Sequence, residues 1–295
     1  MRTKFILLSI FIVATMYSCT NTESKSDAYG NFEASELTVS ALGQGEIIRF
    51  NIEEGQKVRE NQLVGFIDTS ALNIQKQQLI AKIAAVNDKF LTLNSQIEIY
   101  RQQKENINIS LERIQKLFQK QAATKQQLDD VNGKMKLVEK QIQALKVQKK
   151  NVASEIKVLY TQIDLINNSI TKNKIRIPIN GTIINKFVEQ GEIAAPGKPL
   201  FKMADLNTMI LKVYISGTQL SHVKLGQKVE VLIDENNKEN KSIEGVITWI
   251  SSKAEFTPKV IQTKEERVKQ VYALKVKVNN DTGMLKIGMP GEIIF

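Results

Sequence analysis

The sequence predicts an α+β protein in which a long antiparallel helical hairpin is inserted into one β-rich module and a second β-rich module follows. Three observations predict it. Two apolar series have coiled-coil spacing, a glycine-bounded repeat stands on either side of them, and the C-terminal region is built of short strand-like runs separated by polar clusters.

The N-terminus fixes the expected compartment. Arg2 and Lys4 lead into the apolar run Phe5 to Met16, then Tyr17, Ser18 and the only cysteine, Cys19. Such a run is a secretory signal, too short to span a bilayer as a mature helix. A small residue before a lone cysteine resembles a bacterial lipobox, which makes residues 1–18 the signal and Cys19 the lipidated first residue of the mature chain. A plain secretory signal with a coincidental cysteine is the alternative. No disulfide can form within the chain. The polar residues from Thr20 to Asp27 read as a flexible tether, extended to residues 19–35 in the expected domain plan.

The repeat comes next. Gly45-Glu-Ile-Ile-Arg-Phe-Asn-Ile-Glu-Glu-Gly55 runs on through Val58, Leu63 and Phe66 to Asp68. Its second copy, Gly181-Thr-Ile-Ile-Asn-Lys-Phe-Val-Glu-Gln-Gly191, runs on through Ile193, Leu200 and Met203 to Asp205. The glycines are expected where turns need positive φ.

Between the copies lie the two heptad series. Leu79, Ile83, Val86, Phe90, Leu93, Ile97, Tyr100, Lys104, Ile107, Leu111, Ile114 and Phe118 alternate by four and three. So do Leu128, Val131, Met135, Val138, Ile142, Leu145, Lys149, Val152, Ile156, Leu159, Ile163, Ile166 and Ile170. Two seams of nearly equal length joined by a few residues predict an antiparallel coiled coil over residues 70–172, about 70 Å long, with its tip near 119–125. Lys104 and Lys149 interrupt the seams, where polar residues set register and are expected to loosen the hairpin locally. Gly133 is a further candidate point of bending.

In the last module, runs at Met209–Ile215, Val229–Ile233, Ile243–Ile250 and Val271–Val278 predict a barrel or compact sheet over residues 206–295. Asp234 to Lys241 reads as a polar hairpin loop and Thr218 to Val223 as a helical turn containing His222. Trp249 reads as a core or rim anchor.

Composition excludes several functions. One histidine, one cysteine and no clustered acidic ligands leave no common zinc or copper site, and there is no GxxxxGK[ST] loop or supported catalytic triad. A non-enzyme without catalytic residues, metal or cofactor is expected. The net charge of +10 falls to +8 without Arg2 and Lys4, and it resides in scattered lysines without an arginine and aromatic surface. That pattern gives nucleic-acid binding little support. A solvated helix face is the simple reading, with mild attraction to an anionic membrane or acidic partner as the alternative.

The two repeat copies resemble the halves of the lipoyl or biotinyl carrier domain, at residues 36–69 and 173–205. The hairpin occupies the place of the lysine-bearing turn and leaves no Met-Lys attachment site, so a carrier function is not expected. The fold class is therefore a long antiparallel coiled-coil hairpin inserted in a lipoyl-like barrel-sandwich hybrid, followed by a β-barrel domain. This nested order, from about Glu36 to Phe295, resembles the HlyD family of periplasmic adaptors, or membrane fusion proteins. Arg113, Leu117 and Thr124 are similar to the family's hairpin-tip pattern, with threonine in place of serine. The resemblance implies that they dock a TolC-like outer-membrane channel. Structural roles compete. Thr124 and Gln127 form a T-x-x-Q capping box, and Leu117 can pack beside Phe118. Arg113 is the least explained by packing.

Ala254 to Pro258, Gln262 to Arg267 and Leu285 to Gly291 look like the subgroup that works with ABC exporters. Loop shaping is the alternative role for Pro258 and its charged neighbours. The resemblance implies an inner-membrane ABC exporter as partner, a ring of six copies, small-molecule efflux and a periplasmic protein anchored by lipid to the inner membrane. The alternatives are an RND-pump adaptor, which usually carries a further domain beyond the barrel, and a structural envelope coiled coil.

Overall fold

The computed structural model describes residues 26–236, 239–256 and 270–295. Cys19, the signal, Pro258 and Gln262–Arg267 lie outside the described residues. The chain divides into two units, one from Thr38 to Met203 and one joining Ala204–Phe295 to the residues before Thr38.

In the first unit, strands β2 (Glu36–Ser40), β3 (Gly45–Phe50), β4 (Lys57–Val58) and β5 (Leu63–Ile67) precede the helices α1 (Ser70–Gln119) and α2 (Lys125–Lys172). Strands β6 (Lys174–Arg176), β7 (Gly181–Lys186), β8 (Ile193–Ala194) and β9 (Pro199–Ala204) follow. The sheets run β2-β9-β7-β4 and β6-β5-β3-β8. Each sheet thus takes two strands from each copy of the repeat, and the two orders are identical once the copies are exchanged. The interlock gives the two halves one shared core. Ile47, Phe50 and Ile67 from one half pack with Ile183, Phe201 and Met203 from the other.

The turns match as well. Gly55 and Gly191 hold φ of 82° and 91°, and the backbone N–H groups of Glu53 and Glu189 donate to the side chains of Gln56 and Glu192. Gly45 also has positive φ, but Gly181 departs from the expectation: it begins β7, opposite Val58.

The helices of 50 and 48 residues would each rise about 75 Å. Their seam is most deeply buried at Leu93, Ile97, Val138, Ile142, Val152 and Leu159. Toward the tip the heptad residues are only half-buried, and Phe118, the last in the first series, is 39% exposed. Lys104 stands between half-buried Tyr100 and Ile107, and Lys149 between half-buried Leu145 and buried Val152. Lys104 Nζ reaches Glu139 at 2.9 Å, and the Lys149 ammonium stands 4.7 Å from the Phe90 ring centroid. The interrupted layers are therefore satisfied, and the looser packing falls between Lys104 and the tip.

The second unit is a closed antiparallel barrel of six strands among the described residues. They are β1 (Ala28–Glu33), β10 (Thr208–Ser216), β11 (Lys228–Asn236), β12 (Glu239–Ile250), β14 (Gln270–Asn279) and β15 (Pro290–Ile294). The order β10-β1-β15-β11-β12-β14 closes through β14 onto β10, and the two-residue β13 (Glu255–Phe256) extends the edge beside β14.

Here the expected tether needs correction, because residues 28–33 form β1, with Ala28 and Phe32 buried in the barrel core. The signal is weak because Gly30 and Asn31 are poor strand formers, and Gly30 fits against Lys212 where a Cβ would lie 1.8 Å from its carbonyl oxygen. The expected loop from Asp234 to Lys241 is also shorter, since Asp234 pairs with Asn240 and Asn236 with Glu239. Leu220–His222 forms the expected helical turn.

Candidate docking site

The tip of the hairpin is built from two interlocking caps. At the end of α1 the N–H of Gln121 donates to the Phe118 carbonyl and that of Ala122 to the Leu117 carbonyl, a Schellman arrangement. Its left-handed residue is Gln121, with φ of 57°, where glycine is the usual choice. Two residues after Ala122, Thr124 opens α2. Its hydroxyl accepts the Gln127 N–H at 3.3 Å, and the Gln127 side chain accepts the Thr124 N–H at 2.9 Å. The capping box that competes for the Thr124 side chain is therefore present. The hydroxyl uses a lone pair there and keeps its O–H to donate.

These caps hold a short turn in one conformation and leave its side chains outward. Leu117 is 37% exposed, and Phe118 beside it is open to the same degree. Arg113 is exposed and makes no ion pair or hydrogen bond among the described residues. Arg113 and Leu117 are four residues apart, so they share a helix face. An unpaired guanidinium, two exposed apolar side chains and a free hydroxyl donor are thus gathered at one end. Phe118 and Gln121 are not among the site residues that the sequence suggests. The heptad count assigns Phe118 to the seam, and no local signal marks a glutamine as left-handed.

Farther down the hairpin, an open groove of about 560 Å³ is lined by Gln96, Ile99, Tyr100, Gln103, Gln141, Ala144 and Leu145. Its lining contains no Asp, Glu, Lys, Arg or His. Among the described residues no cluster of His, Cys, Asp or Glu is placed to hold a metal, and no helix is long and apolar enough to cross a membrane.

With this geometry in hand, comparison with known proteins is decisive on family. Residues 35–205 match the barrel-sandwich hybrid domain of RND membrane fusion proteins. The chain belongs to the membrane fusion proteins. Residues 205–295 match the LcnD-like C-terminal domain. Among relatives, a UPF0194 membrane protein of Acidithiobacillus ferridurans is 25% identical, over 89% of this chain and 84% of its own. Another, from Yersinia enterocolitica, is 22% identical over 100% and 99%. The structure of MacA from Actinobacillus actinomycetemcomitans superposes with a TM-score of 0.59 at 22% identity, covering 90% of this chain and 76% of that one. The membrane fusion protein Spr0693 of Streptococcus pneumoniae gives 0.56 at 12% identity, covering 90% and 96%. These two likenesses concern the fold of this membrane fusion protein.

Proposed function

We propose that this chain is a lipid-anchored periplasmic adaptor that links an inner-membrane ABC exporter to a TolC-like outer-membrane channel for efflux of small molecules. The observation that carries the reading is the tip. A hairpin of about 75 Å ends in a capped turn that presents Arg113, without a partner among the described residues, beside exposed Leu117 and Phe118. A coiled coil that served only as a structural rod would have no need of an apolar, cationic end. Arg113, Leu117 and the Thr124 hydroxyl are the docking contacts, Cys19 carries the lipid in the inner membrane, and a ring of copies, six by family resemblance, encloses the passage. No catalysis is assigned to the chain, and the energy for transport comes from the pump.

The ABC assignment rests on the resemblance of Ala254 to Arg267 to that exporter subgroup. An RND pump is the second reading, favoured by the match of residues 35–205 to the hybrid domain of RND membrane fusion proteins. Photo-crosslinking in the native cell from Arg113 and from Lys264 tests both. An outer-membrane channel captured at the tip and an ABC permease at the barrel support the proposal. An RND subunit at the barrel replaces the pump, and no partner at either position overturns the adaptor role.

A further inference from the structure

The outer face of the barrel carries a group of side chains that the adaptor reading does not use. In β10, alternate residues Met209, Leu211, Val213 and Ile215 are fully buried, so Lys212 and Tyr214 face outward. The same alternation turns Lys275 and Lys277 of β14 and Tyr29 of β1 outward. The register then assembles them on one side. Trp249 stands opposite Lys275, Lys275 opposite Lys212, and Tyr214 opposite Tyr29. Trp249 is 41% exposed and Tyr29 56%. The Lys275 ammonium lies 5.4 Å from the Trp249 ring centroid and that of Lys212 lies 5.3 Å from Tyr214. Acidic groups nearby are Glu255, 3.6 Å from Lys212, Glu33, and Glu292, which stands opposite Tyr29 in the register.

We propose that this face of Tyr29, Tyr214, Trp249, Lys212, Lys275 and Lys277 lies on an anionic lipid surface and is a second membrane attachment of the chain. Two observations select lipid as the occupant. Aromatic rings with a polar edge, interleaved with lysines, suit the headgroup layer, where the ring enters the apolar boundary and the ammonium meets phosphate. The second observation is chain length, which rests on the proposed lipidation of Cys19. Eight residues lie between Cys19 and Ala28, the start of β1, and the nine backbone steps cannot span more than about 30 Å. Tyr29 follows at once, so the tether joins the barrel beside the aromatic end of this face. A lipid chain and a basic patch then act together, each raising the local concentration for the other.

Trp249 is the only tryptophan of the chain, which makes the test direct. The full mature chain carrying Cys19→Ser is mixed with vesicles of zwitterionic lipid, with and without phosphatidylglycerol. Expected are co-sedimentation with the anionic vesicles, weakened by salt, a blue shift of tryptophan emission, and quenching by brominated lipid. Lys275→Gln and Lys277→Gln should each weaken binding about fivefold, while Lys136→Gln and Lys150→Gln on the hairpin should leave it unchanged. Circular dichroism verifies that each variant is folded.

No binding, binding without quenching, or binding indifferent to Lys275 and Lys277 overturns the proposal. So does photo-crosslinking from position 249 that captures a transporter subunit in place of lipid. That last result would leave the adaptor role standing, and failure of the tip to find a channel would leave the lipid face standing. Metabolic labelling of Cys19 reads the anchor separately.

Discussion

Lys104 of α1 and Glu139 of α2 meet across the hairpin at 2.9 Å, an ion pair at the edge of the seam where a heptad position lacks its apolar residue. The hydrogen bond from Lys104, and then its charge, hold the Glu139 carboxyl below the usual glutamate value. A lowered folded value means that the contribution is present above the unfolded value near pH 4.3 and is lost as pH falls through the folded one. The pair is exposed, so the effect is small. Thermal unfolding of Glu139→Gln should lie slightly below that of the parent at pH 7, and the difference should shrink as pH falls below the usual glutamate value. Lys104→Leu should raise the melting temperature, since it adds an apolar layer between Tyr100 and Ile107, which pack on the cluster of Ile97, Val138 and Ile142.

At the tip, Gln121 and Thr124 separate stability from docking. Gln121→Gly removes the left-handed strain and should stabilise the hairpin by about 1 kcal/mol in chemical denaturation. Thr124→Ala loses the cap and should cost about 1 kcal/mol. Thr124→Asp keeps an oxygen for the Gln127 N–H but has no O–H to donate. It should retain stability while lowering export. Unchanged export by Thr124→Asp would assign the hydroxyl to capping alone.

Elements with a long, unbroken period are legible in the sequence itself. Leu93 through Ile163 fall in the seam by counting, and the repeated glycines announce two related halves. Among the strands that sequence reading does not find, β1 and β15 carry Gly30, Asn31 and the Pro290-Gly291 pair, which read locally as turns. Their strand state comes from neighbours, since Gly30 lies opposite Val213 on one side and Gly291 on the other. Trp249 and Lys275 are legible as residues but not as neighbours. They are 26 positions apart, and only the register of β12 and β14 brings them together.

The base of the hairpin is pinned by a buried amide. Asn173 is 3% exposed, its Nδ2 donates to the Asp68 carbonyl at 2.8 Å, and its backbone carbonyl accepts the Ile67 N–H at 2.9 Å. A Cβ on Gly43 would lie 1.8 Å from Asn173 Oδ1. Asn173→Ala should therefore cost about 1–3 kcal/mol by stranding polar groups, and Gly43→Ala should act on the same contact by displacing the amide. The double variant should cost less than the sum of the single ones in chemical denaturation, because both changes disrupt one interaction.

Phe32 separates a tether from a barrel strand. Its side chain is fully buried with Leu211 and Ile293 in the barrel core, and a Cβ on Gly291 would lie 2.8 Å from its ring. Phe32→Ala should destabilise the barrel by about 3–5 kcal/mol, and deletion of residues 28–33 should prevent it from closing, because β10 and β15 would each lose a partner strand. A barrel equally stable without Phe32 would return residues 28–33 to the tether.

Arg113 carries the most direct prediction about transport. Because it has no partner among the described residues, Arg113→Ala removes no intramolecular bond and should leave thermal unfolding within about 0.5 kcal/mol of the parent. If its guanidinium meets a carboxylate or backbone carbonyls at a channel mouth, export and tip crosslinking should both fall sharply. Arg113→Lys, which keeps the charge but not the planar fork, should rescue them only in part. Full rescue would mean that charge alone is read, and unimpaired export by Arg113→Ala would remove Arg113 from the docking surface, leaving Leu117 and Phe118 to carry it.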